Sequence, residues 1–210
     1  MYARERLLKR AVDVTGAVLL LALFSPLWAA IALALRTTSR GPVLYRQTRI
    51  GLAGQPFTLL KFRSMRVGCD PSIHEEYAAR WIQGSTGAEE PAPAVHKIVG
   101  DPRVTRLGRV LRRASLDELP QLVNVLRGEM SLVGPRPALA YEVERYSAWH
   151  RQRLEVLPGL TGLWQVSGRN ALSFEEMVRL DIQYIETWSL ERDLKILLKT
   201  PPALLLGKAY

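Results

Sequence analysis

Asp117 and Glu118 stand side by side within Ser115-Leu116-Asp117-Glu118-Leu119-Pro120-Gln121, just after Arg112 and Arg113 and shortly before Gly134-Pro135-Arg136-Pro137. Adjacent carboxylates in the company of arginines suit phosphate chemistry. Successive helical residues are about 100° apart, so the two acids cannot share a face and their roles should differ. One carboxylate could attack a phosphorus atom while the other binds Mg2+ or steers the attacking group. A phosphoryl centre repels an approaching carboxylate, so cationic clamps are needed. Arg112, Arg136 and the arginine of Gly168-Arg169-Asn170 have the right chemistry. Taken alone, the two acids would also suit a solvated helix start, and Gly134 to Pro137 a rigid turn with an exposed arginine. Their combined order carries the functional reading. His74, His96, His150 and Cys69 have no closely spaced partners, so no zinc site is expected, and one cysteine cannot form an internal disulfide.

These residues need a scaffold, and the chain of 210 residues is long enough for one globular unit plus a membrane element. A net charge of +9 suits nucleic acid, an anionic membrane face or phosphorylated substrates about equally. From Ala11 to Leu35 the sequence is almost continuously apolar, and as a helix it would extend roughly 37 Å, enough to cross a bilayer core of about 30 Å. Arg4, Arg6, Lys9 and Arg10 precede the run, and Arg36, Arg40, Arg46 and Arg49 follow it. Basic flanks favour one side of the membrane. Together with Ser25-Pro26 near the middle, where Pro26 removes a backbone donor, they predict a re-entrant helical hairpin turning at Ser25-Pro26. A straight span and a cleaved signal peptide are the alternatives, although the run is long for the latter.

Beyond this segment, Pro42 to Tyr45 and Pro56 to Phe62 read as strands joined through Gly51 and Gly54 into a small β hairpin. Gly68 to Pro93 is broken by glycine and proline and reads as a mobile loop or lid, with a short helix around His74 to Ile82. Thr105 can cap a helix with Leu107, Val110 and Leu111 on its apolar side, suited to a membrane surface. The next helix is predicted to begin near Asp117 and end near Gly128. Ser173 and Glu176 have capping-box spacing ahead of a packing stripe of Phe174, Val178, Ile182 and Ile185. A last helix from Leu190 to about Lys199 should stop at Pro201-Pro202. The expected fold class is α+β, predominantly helical, with a re-entrant N-terminal membrane helix hairpin, a small β hairpin and interfacial amphipathic helices.

The chain resembles the bacterial sugar transferases of the monotopic phosphoglycosyl transferase family, in their compact form without an additional N-terminal multi-span region. The resemblance lies in Lys9 to Asp13, Lys61-Phe62-Arg63-Ser64-Met65, Asp101 to Thr105, Ser115 to Gln121 and Asn124 to Ser131. It continues through Val133 to Pro137, Pro158 to Val166, Gly168-Arg169-Asn170 and Asp193 to Ile196. It implies residues 1–36 as a re-entrant anchor and 37–210 as a cytoplasmic catalytic domain at the inner membrane of a bacterium. The implied reaction transfers a sugar 1-phosphate from a UDP-sugar to polyprenyl (undecaprenyl) phosphate with Mg2+, releasing UMP, and initiates exopolysaccharide, capsule, O-antigen or glycoprotein glycan assembly. On this resemblance Asp117 is the nucleophile and Glu118 its acidic partner, both near the metal. Arg112, Arg136 and Arg169 are phosphate or nucleotide contacts, and Lys61, Arg63 and Asp193 match motif positions with less defined roles. Ser25 and Pro26 match the helix break, and Pro135 and Pro137 frame Arg136. The style of Gly159 to Asn170 and of the C-terminal region is closer to members handling glucose or galactose, with N-acetylated and deoxyamino sugars left open.

Two rival functions remain. A nucleic-acid binder would use the charge but leave the apolar segment unexplained, so no nucleic acid is expected as a partner. A non-catalytic membrane scaffold of a polysaccharide assembly complex would leave Asp117 and Glu118 as a helix start only. The expected partners are thus the UDP-sugar, the polyprenyl phosphate and inner-membrane lipid, with a homodimer left open.

Overall fold

The computed structural model describes residues 3–70, 72–83, 101–168 and 172–206. Helix α1 (Ala3–Thr38) is one continuous helical run with Pro26 inside it, where the sequence predicts two helices and a turn. The difference has a local cause. Pro26 cannot donate to Ala22 O, its i−4 carbonyl, and the Ser25 hydroxyl donates to that oxygen instead at 2.8 Å, so the freed acceptor stays satisfied. Asp13, Ala17, Leu20, Phe24, Leu27, Ile31 and Leu35 recur at helical spacing as a buried or half-buried stripe against the rest of the protein. The opposite face carries Leu19, Leu23 and Leu33, each more than 60% exposed. The helix is long and apolar enough to cross a membrane.

Strands β1 (Leu44–Ile50) and β2 (Pro56–Phe62) form the expected antiparallel hairpin, in register from Leu44 opposite Phe62 to Ile50 opposite Pro56. The first strand begins later and runs farther than Pro42 to Tyr45, since polar residues from Arg46 to Arg49 are compatible with a strand that has one open face. Helix α2 (Ser72–Gln83) realises the short helix expected in the Gly68 to Pro93 segment, and of the loop or lid expected over Gly68 to Pro93, residues 84–93 lie outside the described residues.

Helix α3 (Arg106–Arg113) is capped as expected, with the Gly108 amide donating to Thr105 Oγ1 at 2.9 Å. Only part of its expected apolar side packs: Leu111 is buried, whereas Val110, about 100° around the axis from it, is 61% exposed. The chain then reverses at Ser115, a non-glycine residue at φ 55°, into a single 3₁₀ turn, Leu116–Glu118. Helix α4 (Gln121–Arg127) starts only after Pro120. The helix predicted from Asp117 is therefore split: Pro120 has no N–H for the Leu116 carbonyl, and the preceding amides bond three residues back, Glu118 to Ser115 O and Leu119 to Leu116 O.

Strands β3 (Ser131–Val133) and β4 (Gly159–Thr161) pair in parallel, and between them lie the short helices α5 (Ala140–Val143) and α6 (Ala148–Arg151). After α7 (Leu163–Ser167), helix α8 (Phe174–Glu186) carries the expected Ser173–Glu176 capping box and buries Phe174, Val178 and Ile182. Helix α9 (Leu190–Leu206) runs through Pro201-Pro202 rather than stopping. Proline φ is helical, so the lost bonds weaken the ladder without turning the chain, and the Thr200 hydroxyl supplements it with a bond to Ile196 O at 2.8 Å.

One core joins α1, β2, α4, β3, α8 and α9 through Ala17, Leu59, Leu122, Leu132, Tyr184 and Ile196. A second packs Trp81 of α2 and Tyr146 against Phe174, Met177 and Val178 of α8. Within it, Arg153 donates to Asp181 Oδ2 at 2.8 Å and to the Tyr146 hydroxyl at 2.8 Å, and burial pushes the Asp181 carboxyl up to about 6. A third seats Ile31 and Leu35 of α1 against Phe62 and Leu111. The architecture is α+β and predominantly helical.

Candidate active site

The two carboxylates come from the 3₁₀ turn, and what brings cations to them is the packing of α4 on β2. Asn124 is wholly buried at that contact. Its Oδ1 accepts from Leu60 N at 3.0 Å and its Nδ2 donates to Thr58 O at 2.7 Å, so the amide occupies the strand edge that β1 leaves open. Lys61, next along that strand, then reaches Glu118 Oε1 at 3.0 Å. Arg136 approaches the same oxygen at 3.5 Å. The acids differ in setting: Asp117 is 8% exposed, while Glu118 sits in this cationic cradle.

Burial lowers the Lys61 ammonium from its ordinary range, Glu118 opposes that most strongly, and the Arg136 charge adds to it. Arg49 is the residue that sequence reasoning missed. It is buried on β1, donates from Nη1 to Pro137 O at 3.0 Å, and shares its remaining donors with Gln47 Oε1. Its pKa is pushed down to about 10, first by burial and then by the neighbouring Arg136. Lys61 and Arg136 converge on Glu118 with Arg49 beside them, a set of cations that suits an anionic ligand. An arginine at an inward strand position is the signal that could have found Arg49, since strand periodicity expects an apolar side chain there.

Gly134-Pro135-Arg136-Pro137 is a rigid platform rather than a free turn. The Gly134 amide donates to Thr161 O at 2.9 Å, the Gly159 amide to Pro135 O at 2.7 Å and the Ile50 amide to Ala138 O at 2.9 Å. Arg112 stands at the end of α3, its Nη1 buried without a hydrogen-bond partner among the described residues. Arg63 is brought elsewhere: its guanidinium donates to Leu35 O, Ser39 O, Ser39 Oγ and Arg40 O, closing the C-terminal end of α1. Asp193 is also apart from the acids, accepting from Lys9 Nζ at 2.7 Å, from Trp188 Nε1 at 3.2 Å and from the Tyr184 hydroxyl at 2.7 Å. Ser25 and Pro26 are exposed midway along α1. Arg169 lies outside the described residues.

Near the cationic cluster His74 Nδ1 is 2.6 Å from the Tyr141 hydroxyl, and burial, with the charges of Arg49 and Arg136, keeps the imidazole below its usual pKa. Among the described residues no group of three or more His, Cys, Asp or Glu could hold a metal. The carboxylate oxygens of Asp117 and Glu118 are hard donors, the type that magnesium takes one or two at a time with water and substrate phosphates completing its shell.

A family model for bacterial sugar transferases matches residues 4–207. The chain is 46% identical over 200 residues to the exopolysaccharide production protein ExoY of Rhizobium meliloti, covering 95% of this chain and 86% of that protein. It is 49% identical over 206 residues to the UDP-glucose:undecaprenyl-phosphate glucose-1-phosphate transferase of Caulobacter vibrioides, covering 94% and 69%. It is 40% identical over 205 residues to the undecaprenyl-phosphate galactose phosphotransferase of Salmonella typhimurium, covering 96% and 41%.

Proposed function

The chain belongs to the bacterial sugar transferase family, and we propose that it moves a sugar 1-phosphate from a UDP-sugar to undecaprenyl phosphate through a covalent intermediate on Asp117. The observation that carries this reading is the unequal housing of the two acids, with Asp117 buried and Glu118 held by Lys61 and Arg136. The names of the relatives point to glucose or galactose as the sugar and to exopolysaccharide synthesis as the setting.

An Asp117 carboxylate oxygen attacks the phosphorus bonded to the sugar, and the bond from that phosphorus to the oxygen bridging the two phosphates breaks. The electron pair leaves on UMP, and an acyl phosphate remains on Asp117. An oxygen of undecaprenyl phosphate then attacks the same phosphorus. The bond to Asp117 breaks, the carboxylate is regenerated, and a lipid diphosphate sugar departs. Lys61, Arg49 and Arg136 offset the charge of the phosphates, while Glu118 keeps Lys61 and Arg136 converged on one point. Arg112 and Arg169 complete the proposed phosphate contacts. Mg2+ held by Asp117 and Glu118 would neutralise phosphate charge as the phosphorus is attacked.

The seating of α1 supports a re-entrant anchor at the cytoplasmic face. Near its start, Arg10 donates to Val125 O and Leu126 O and Asp13 accepts from Leu132 N; near its end, Leu35, Ser39 and Arg40 are bonded by Arg63. Both ends are thus fastened to one charged body, which a bilayer would exclude from its core.

Intact mass of the purified protein incubated with Mg2+ and UDP-glucose or UDP-galactose tests the reaction. A hexose phosphate adduct with release of UMP is expected, and both should vanish in Asp117→Asn. Adduct-free protein with full complementing activity in Asp117→Asn would instead favour the scaffold.

A further inference from the structure

Pro135 and Pro137 have no N–H, so the loop bearing Arg136 is held largely by its carbonyls. Pro135 O, Pro137 O and Ala138 O take donors from Gly159, Arg49 and Ile50. Val133 O, at the strand end from which the loop springs, is held from a different direction. It accepts from Lys9 Nζ on α1 at 3.1 Å and lies 3.1 Å from the Tyr184 hydroxyl.

Asp193 underlies both groups, with Oδ2 at 2.7 Å from Lys9 Nζ and Oδ1 at 2.7 Å from the Tyr184 hydroxyl. The one phenolic proton is shared between Val133 O and Asp193. Burial, followed by the Asp193 charge, raises the phenol far above its ordinary range, so it remains a donor. One turn farther along α1, Asp13 accepts from Leu132 N at 2.9 Å and from Ser131 Oγ at 3.0 Å. All three residues of β3 are therefore fastened to the membrane helix.

The geometry points to Lys9, Tyr184 and Asp193 as positioning residues that carry the seating of α1 to the strand end from which Arg136 reaches Glu118. The inference rests on the proposed role of Arg136 as a phosphate clamp. The ammonium, carboxylate and phenol are withdrawn from water, where charge-assisted hydrogen bonds hold geometry firmly. A displacement of about 1 Å in a clamp can cost on the order of 100-fold in rate. The bonded atom is only three residues before Arg136, and Pro135 between them stiffens the lever.

A double-mutant cycle on UMP release tests this. Tyr184→Phe keeps the ring in the core and removes only the hydroxyl. It should lower release about tenfold in the otherwise unaltered protein and less than twofold in an Arg136→Ala background, since positions that act through one another are not additive. An equal loss in both backgrounds, or no loss in the first, overturns the proposal. If Tyr184→Phe does not fold, Trp188→Phe removes the 3.2 Å indole bond to Asp193 and is read in the same way.

Hydrogen exchange reads the positioning without turnover. The Gly134 and Gly159 amides, which donate to Thr161 O and Pro135 O at the base of the loop, should exchange faster in the variant, with β1 and β2 unchanged. Unchanged exchange at Gly134 and Gly159 overturns the proposal even where no donor is turned over. Activity that survives Asp117→Asn is the separate failure of the covalent reading.

Discussion

Glu118 Oε1 is where the chemistry of single residues becomes cooperative. Lys61 at 3.0 Å and Arg136 at 3.5 Å share that oxygen, and Glu118 is the charge that most strongly opposes the lowering that burial imposes on the Lys61 ammonium. Lys61→Met retains most of the apolar stem but removes the ammonium. Release of UMP should fall roughly 100- to 1000-fold, as when a preorganised electrostatic contact is deleted, while the thermal midpoint moves little. Unaltered release would remove Lys61 from the clamp. At this scale the acids and Arg136 were legible because residue type and order along the chain carry them, and Lys61 only as a position in a motif that the resemblance supplied. Arg63 and Arg49 were not, because a sequence does not say which carbonyls an arginine will meet. Arg63 faces the end of α1, and Arg49, read only as a basic flank, turns inward to Pro137.

Elements set the separation between these groups, and α3 shows how narrow the tolerance is. A Cβ built on Gly108 would lie 1.9 Å from Ser64 O, a backbone atom that has no rotamer to yield. Gly108→Ala should push α3 from the segment after β2 and displace Arg112. The expected destabilisation is roughly 1–3 kcal/mol, as for overpacking, despite the gain in helix propensity. A lowered thermal midpoint together with weaker UDP binding would be measured; an unchanged midpoint would show that α3 moves freely. Elements with local codes were legible: the hairpin, the Thr105 cap and the Ser173–Glu176 box. The prolines were less so. Pro26 and Pro201-Pro202 remain inside helices where side-chain hydroxyls of Ser25 and Thr200 add bonds to nearby carbonyls, whereas Pro120 does separate the acids from α4. Asn124 had no local signal, since its value lies in the strand edge it covers.

At the scale of the whole molecule, α1 serves the proposed function as both an anchor and part of the catalytic body. Its outward leucines are exposed, as a lipid-facing side would be, while its inward stripe and both ends belong to the packed core. Pro26→Leu should favour a straight crossing, which the attachments at both ends oppose. Labelling of the N-terminus from outside the cytoplasm, with a loss of UMP release, is the expected result, and unchanged cytoplasmic labelling would count against the role of the proline. The sum of charge, apolar run and basic flanks made a membrane-facing anion enzyme legible, but the attachments of α1 were hidden because they join distant parts of the chain. Lys9 meets Asp193 across 184 positions of sequence. At about 5–20 residues synthesised per second, roughly 10–40 s separate the emergence of the two from the ribosome. On the proposed re-entrant reading, an anchor that inserts as it is made does so before its protein partners exist, so its flanking charges and the lipid choose its orientation, and the later-made segments fold onto a choice already taken.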